Sequence, residues 1–235
     1  MKKGIFSVAV ASLFTMGAMA QVKPTTNPGN FIVKGGLNLA NISITNEGKV
    51  DNANAYSSFN VGFAFDVPLS EYASFQSGLL YTGKGSKREY GKPGQIGYTK
   101  LSTNPMYLEL PVNIVGKLPL TNTIKVFLGG GAYGAMGITG KNKFERNLAA
   151  GSIYSDNNIK FSNDDPTTSQ EEGQSFNSYK RFDYGLNALG GLEFSRFTLG
   201  ANYGLGLAKI NSGTDNTAND RGKNRVWSFS LGIKL

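Results

Sequence analysis

The feature that most constrains this chain is a two-residue alternation between large apolar and small or polar side chains, repeated in eight separate runs. The first extends from Phe31 to about Ile42. In the second, Phe59, Val61, Phe63, Phe65 and Val67 alternate with Asn60, Gly62, Ala64 and Asp66. The third sets Phe75, Leu79 and Tyr81 against Ser74, Gln76 and Thr82; the fourth sets Leu108, Leu110, Val112 and Ile114 against Glu109 and Asn113; the fifth sets Ile124, Val126 and Leu128 against Lys125. The sixth opposes Phe182, Tyr184, Leu186, Leu192 and Phe194 to Asp183, Asn187 and Glu193. The seventh opposes Phe197, Leu199, Tyr203, Leu205 and Leu207 to Thr198, Asn202 and several glycines, and the eighth opposes Trp227, Phe229, Leu231, Ile233 and Leu235 to Ser228, Ser230 and Lys234. A period of two is the signature of β-strands with unlike faces. Beyond Gln21 there is neither an 18-residue apolar run nor a sustained i, i+3, i+4 pattern, so the sequence supports no spanning or amphipathic helix.

The connections alternate in length. About Ser43 to Ala55, Lys87 to Ser102, Lys141 to Ser178 and Asn211 to Lys223 are long and polar, whereas Pro68 to Glu71, Lys117 to Thr123 and Ser195-Arg196 are short. Such an order predicts an all-β fold, an eight-stranded antiparallel up-and-down transmembrane β-barrel with its long connections outside the cell and both termini in the periplasm. Closure satisfies every backbone group without water, which is what lets a β structure cross lipid. A soluble, lipocalin-like barrel would turn the apolar face inward and needs many Lys and Glu on its polar face. Here the polar face is mostly Gly, Asn, Ser and Thr, and the apolar face carries more aromatic bulk than an eight-stranded interior readily holds.

At the amino terminus Lys2 and Lys3 precede an apolar run from Ile5 to about Met16, followed by Ala18-Met19-Ala20. That is the pattern of a secretory signal peptide; the apolar run is too short for a membrane anchor. Residues 1–20 are therefore expected to be a cleaved signal, 21–30 a short amino-terminal segment and 31–235 the barrel. The chain has neither Cys nor His. Disulfides, zinc knuckles, thiol nucleophiles and histidine-dependent catalysis are excluded, and no enzymatic activity and no cofactor are expected. The net charge of +8 does not suggest nucleic acid, which an exported membrane barrel does not meet.

With the apolar face on lipid, the interior receives Lys34, Asp66, Glu109, Lys125, Arg181, Asp183 and Glu193 as a candidate polar network, together with Asn38, Asn60, Gln76, Asn113, Tyr133, Asn187, Asn202 and Lys234. Buried charges persist when paired, so the expectation is a plugged polar core, with a narrow ion path as the alternative. Lys84, Lys87, Arg88, Lys92 and Lys100 are expected near the outer rim, as candidate contacts to lipopolysaccharide phosphates or as ordinary solubilising charge. Asp164-Asp165 and Glu171-Glu172 lack the spacing of a defined calcium loop and read as a solvated acidic stretch.

Two motifs resemble a known family. Phe31-Ile-Val-Lys-Gly-Gly-Leu-Asn-Leu-Ala-Asn41 and Tyr107-Leu-Glu-Leu-Pro-Val112 are similar to the first and fourth strands of PorT-like outer membrane β-barrel proteins. Pro111 inside a strand predicts a bulge or irregular pairing. The terminal Trp-Ser-Phe-Ser-Leu-Gly-Ile-Lys-Leu235 is similar to the signal read by the barrel-insertion machinery, but ends in Leu rather than Phe or Trp. The reading that results is a non-enzymatic, monomeric outer membrane barrel with a structural or surface-binding role through its outer loops. Its expected partners are outer membrane lipid, lipopolysaccharide and the insertion machinery. An accessory subunit of an envelope secretion or transport machine, as the resemblance suggests, or a narrow small-solute channel are the alternatives.

Overall fold

A computed structural model describes residues 29–46, 49–52, 55–161, 178–210 and 222–235. The expected signal peptide and the two acidic pairs at 164–165 and 171–172 lie outside the described residues. The strands are β1 (Asn30–Asn46), β2 (Lys49–Asn52), β3 (Tyr56–Pro68), β4 (Ala73–Gly83), β5 (Ser86–Tyr90), β6 (Thr99–Pro119), β7 (Lys125–Leu148), β8 (Gly151–Asn158), β9 (Lys160–Phe161), β10 (Ser178–Tyr179), β11 (Phe182–Glu193), β12 (Phe197–Gly206) and β13 (Lys223–Lys234). Eight of them close a ring, β1-β3-β4-β6-β7-β11-β12-β13, in which every neighbour is antiparallel. The last strand returns to the first from Ile32↔Lys234 to Ser43↔Lys223, leaving no open edge in the wall.

At one end, the turn end, lie the carboxyl terminus and three tight connections, fastened by Leu69 N–H to Ala73 O, Leu120 N–H to Ile124 O and Phe194 N–H to Phe197 O. At the other, the loop end, the wall continues upward. β6 has 21 residues and β7 has 24, about twice what a tilted strand needs to cross a bilayer. Their surplus pairs from Met106↔Thr139 to Thr99↔Arg146, with β5 added on one side and β8 on the other. Much of what the sequence pattern suggests as loop is thus a raised four-stranded sheet. Gly91, Gly94 and Gly97 hold the β5–β6 turn with φ between +82° and +88°, a region open to glycine.

Facing follows the alternation and inverts the arrangement of a soluble protein. Phe229, Leu231 and Ile233 on β13, Leu110, Val112 and Ile114 on β6, and Phe59, Val61 and Phe65 on β3 are exposed, whereas Asn60, Asp66, Glu109, Asn113, Asp183, Asn187 and Glu193 are buried. Each outward apolar run covers roughly nine to eleven residues, the span of a tilted transmembrane strand. Rings gather at both rims of this band: Phe31 with Phe65 at the turn end, and Tyr203 with Trp227 at the loop end. Amphipathic rings favour the interfaces of a bilayer.

The irregularity expected at Pro111 occurs on the β4 side. Pairing there is recorded for Ser77↔Val112 and Leu80↔Glu109 but not for the two positions between, where proline offers no N–H and Ser77 Oγ donates to Pro111 O instead. A second irregularity, between Met106 and Tyr107, is set by the extra residue Ile138 on β7, and no proline marks it.

Candidate functional site

The inward positions of the wall build two ionic clusters, one toward each end. Toward the loop end, Lys84 Nζ lies 2.7 Å from Glu109 Oε2 and 3.0 Å from Asp183 Oδ2. Tyr133 Oη and Asn224 Nδ2 also donate to Asp183 Oδ2, at 3.1 and 3.0 Å. The ammonium sits 3.9 Å from the centre of the Tyr133 ring, within cation–π range. Toward the turn end, Lys117 pairs with Asp66 and, at 2.9 Å, with Glu193, which Lys234 also contacts at 3.0 Å; Ser74 Oγ donates to Asp66 Oδ1 at 2.7 Å. Each carboxylate has a cation and most have a further donor, which is the condition for a charge to persist out of water.

A separate amide network braces β1, β3 and β4: Asn38 Nδ2 donates to Thr82 Oγ1 at 2.8 Å, and Asn60 Nδ2 donates to Asn38 Oδ1 at 2.6 Å. Between the clusters lies a cavity in which a water's centre can range over about 80 Å³, lined by Lys34 and by polar side chains including Gln76, Asn113, Asn187 and Asn202.

The loop end is closed over the first cluster. Phe161 meets Tyr107 edge-on, with centroids 5.7 Å apart, and packs with Ile42, Ile159, Tyr179 and Ile210 into an apolar cap. Its ring takes the space a side chain at Gly137 would need. Backbone bonds from Ile159 N to Gly140 O and from Gly137 N to Arg181 O tie the cap to the wall.

Above the cap, the raised sheet has one charged face. The outward count along β6 continues through Ser102 and Lys100; in register with them stand Lys87 and Glu89 on β5, Lys143 and Glu145 on β7, and Asp156 on β8. Exposed pairs join Lys87 to Glu89 and Lys141 to Asp156, both at 3.3 Å. The Tyr98 hydroxyl donates to Glu89 Oε1 at 3.0 Å, and this bond, reinforced by Lys87 and Lys100, holds the Glu89 carboxyl below the usual range. Burial and the Glu89 carboxylate push the Tyr98 phenol up. The opposite face carries Leu101, Phe144 and Ile153 with Arg88 and Arg146.

An inverted wall, a paired polar interior and a ring closed on itself describe a barrel built for lipid. The family model described as outer membrane protein beta-barrel domain matches residues 19–212. The chain belongs to that family. Membership puts it in the outer membrane, and the matched stretch stops short of β13, the strand that closes this ring. Among solved structures the chain is similar to Ail, the attachment invasion locus protein of Yersinia pestis, at 13% identity and TM-score 0.39 over 88% of this chain and 99% of that one. It is also similar to Neisserial surface protein A (13%, 0.40, 87% and 97%) and to OprG from Pseudomonas aeruginosa (16%, 0.37, 88% and 96%). No curated protein matches the sequence.

The candidate residues divide in this outer membrane barrel. Asp66, Glu109, Asp183 and Glu193 enter the two clusters, and Lys34 faces the cavity. Lys125 is exposed at the turn-end rim, and Arg181 is exposed at the loop end, where it donates to Phe161 O; both stand outside the clusters. Of the five expected rim cations, Lys84 is a correction. It is buried at the centre of the loop-end cluster, because the inward count on β4 through Gln76 and Thr82 continues to it and two carboxylates meet it there. Lys87 and Lys100 share the charged face, Arg88 stands on the opposite face, and Lys92 is exposed in the β5–β6 turn. Lys117, grouped by sequence with a turn, is also inward: counting by two from Glu109 and Asn113 reaches it.

Proposed function

We propose that this protein is a non-enzymatic outer membrane barrel that turns its loop end outward and uses the raised sheet as a binding surface. The observation that carries this is the continuation of β6 and β7 as paired strands beyond the lipid-facing band, flanked by β5 and β8. A surface of paired strands is preorganised, so binding there orders little new backbone. Lys87, Lys100, Lys141 and Lys143 lie on the outer face of the sheet, just beyond the apolar band, the level at which lipopolysaccharide phosphates meet an outer membrane barrel. With Lys84 withdrawn from that group, Lys141 and Lys143 take its place.

Because the chain has no Cys, single cysteines report orientation without interference. Gln95→Cys, in the β5–β6 turn, should react on intact cells with a membrane-impermeant maleimide, and Asn122→Cys, in the β6–β7 turn, should react after lysis alone. The reverse pattern would invert the barrel. Replacing Lys87, Lys100, Lys141 and Lys143 together by Gln should lower the lipopolysaccharide that co-purifies with the folded barrel several-fold; an unchanged amount would remove lipopolysaccharide as the partner. The PorT-like resemblance supports an accessory role in secretion less directly. Its motif residues Lys34, Asn38, Tyr107 and Glu109 face the interior, where no partner docks.

A further inference from the structure

The two faces of the raised sheet differ in charge. On the outer face Lys87, Lys100, Lys141 and Lys143 stand among Glu89, Glu145 and Asp156. The opposite face continues the inward count of β6 from Tyr107 through Thr103 to Leu101, so it stands over the barrel mouth. Thr103 Oγ1 lies 3.1 Å from Tyr179 Oη, which sets the foot of this face against the apolar cap. Its charged residues are Arg88 and Arg146, and among the described residues no acidic side chain shares it. Neither guanidinium makes an ion pair or a hydrogen bond among those residues, and the group that Arg88 acts on electrostatically is the Tyr179 phenol rather than a carboxylate.

Around the two arginines this face is apolar. Leu101 and Phe144 extend the row of Arg88 across β6 and β7, Ile153 on β8 pairs with Arg146, and Leu148 follows Arg146 on the same face of β7. Leu101, Leu148 and Ile153 are exposed and Phe144 is half-buried. Neighbouring strands lie about 5 Å apart, so these side chains form one patch about 14 Å wide across the sheet. A contiguous apolar patch rimmed by charge and standing in water marks an interaction site, and this width suits a protein segment better than a small molecule.

We infer that the mouth-side face docks a segment of an extracellular partner protein that presents carboxylates beside apolar side chains. Arg88 and Arg146 supply planar guanidinium groups that carboxylates match in charge and geometry, and the partner's apolar side chains cover Leu101, Phe144 and Ile153. Surrounding lipopolysaccharide meets the outer face instead, because the mouth-side face turns toward the barrel axis. A second copy of the chain would set arginine against arginine with no carboxylate on either face. The inference goes beyond the lipopolysaccharide contacts and rests on the loop end facing outward, which maleimide labelling at residue 95 tests separately.

The test follows the side-chain methyl signals of the full barrel, folded in a zwitterionic detergent, by NMR. The probe is an extended peptide whose alternate residues are Glu, Leu, Phe and Glu with Ser between them. It should shift the Leu101, Leu148 and Ile153 methyls saturably and leave those of Leu110 and Leu186, on the lipid face, in place. Replacing Arg88 and Arg146 together by Gln, or the peptide's Glu by Gln, should weaken binding about tenfold or more, whereas Gln at Lys87, Lys100 and Lys143 should change it little. Heat-modifiable migration of each variant confirms that it folds. Absence of a saturable shift, or binding unaffected by the paired arginine replacement, would overturn the proposal. Purified lipopolysaccharide shifting the same methyls in an arginine-dependent way would assign the face to lipid, and concentration-dependent shifts without peptide would assign it to a second copy; either result would also overturn it.

Discussion

The same two strands, β6 and β7, run through two regions of the molecule and obey opposite rules in each. Within the wall their outward residues are Leu108, Leu110, Val112 and Ile114, and their inward ones include Glu109 and Asn113. Beyond the bulge at Met106/Tyr107 and Ile138 the outward face becomes Ser102, Lys100, Lys141, Lys143 and Glu145, while Leu101 and Phe144 move to the other side. Register and pairing continue; the solvent changes. The switch recurs at the same level on the opposite side of the ring, where Leu39↔Trp227 is followed by Asn41↔Arg225. An alternating strand is therefore read by what its outer face touches, and the bulge marks where lipid gives way to water.

That contrast gives predictions of graded size. Lys84→Met leaves Glu109 and Asp183 without their cation in a buried setting and should cost about 3–5 kcal/mol. Lys87→Met, which removes the Lys87–Glu89 pair of the raised sheet, should cost less than about 1 kcal/mol in the same reversible folding titration. Phe229→Arg, at mid-height on the lipid face, should cost about 2–4 kcal/mol when refolding into vesicles is followed. Ile153→Arg on β8 should change that folding free energy by no more than about 0.5 kcal/mol. Gly137→Val places a side chain where the Phe161 ring lies and should cost about 1–3 kcal/mol, with faster hydrogen exchange at Ile159 than in the wild type. The smallest effect concerns Glu89. Its lowered pKa means that the Tyr98 bond stabilises the sheet above the ordinary glutamate pKa and is lost as pH falls through the lowered one. Tyr98→Phe should move the Glu89 carboxyl titration, followed by NMR, upward.

Legibility in the sequence follows the same boundary. The wall was readable because lipid on one side and a packed interior on the other force strict alternation, so counting by two places Asp66, Glu109, Asp183 and Glu193 inside. Where a long polar stretch begins, the alternation continues beneath residues that look like loop. Lys84 and Lys117 both continue the inward count of β4 and β6, yet each borders a polar connection, and a charged residue at that place resembles part of it. The raised sheet was harder to see, since with water on its outer face no apolar stripe is required and Lys141 to Glu145 read as loop. Phe127 shows the converse: an aromatic inside the barrel, lining the cavity with its ring where a side chain at Gly191 would stand. Glycine opposite a ring on the neighbouring strand is a pairing that no single strand's pattern reveals.

Even-numbered residues of β6 face lipid up to the bulge and water beyond it. Single cysteines placed in turn from residue 100 to residue 118 of this cysteine-free chain, spin-labelled and reconstituted in vesicles, test it through collision with oxygen, which concentrates in the bilayer, and with a water-soluble nickel complex. Oxygen contact is expected at 108, 110, 112, 114, 116 and 118, with nickel contact taking over at 102 and 100. Oxygen contact at 109 and 113 instead, or no change of partner across residue 106, would contradict it.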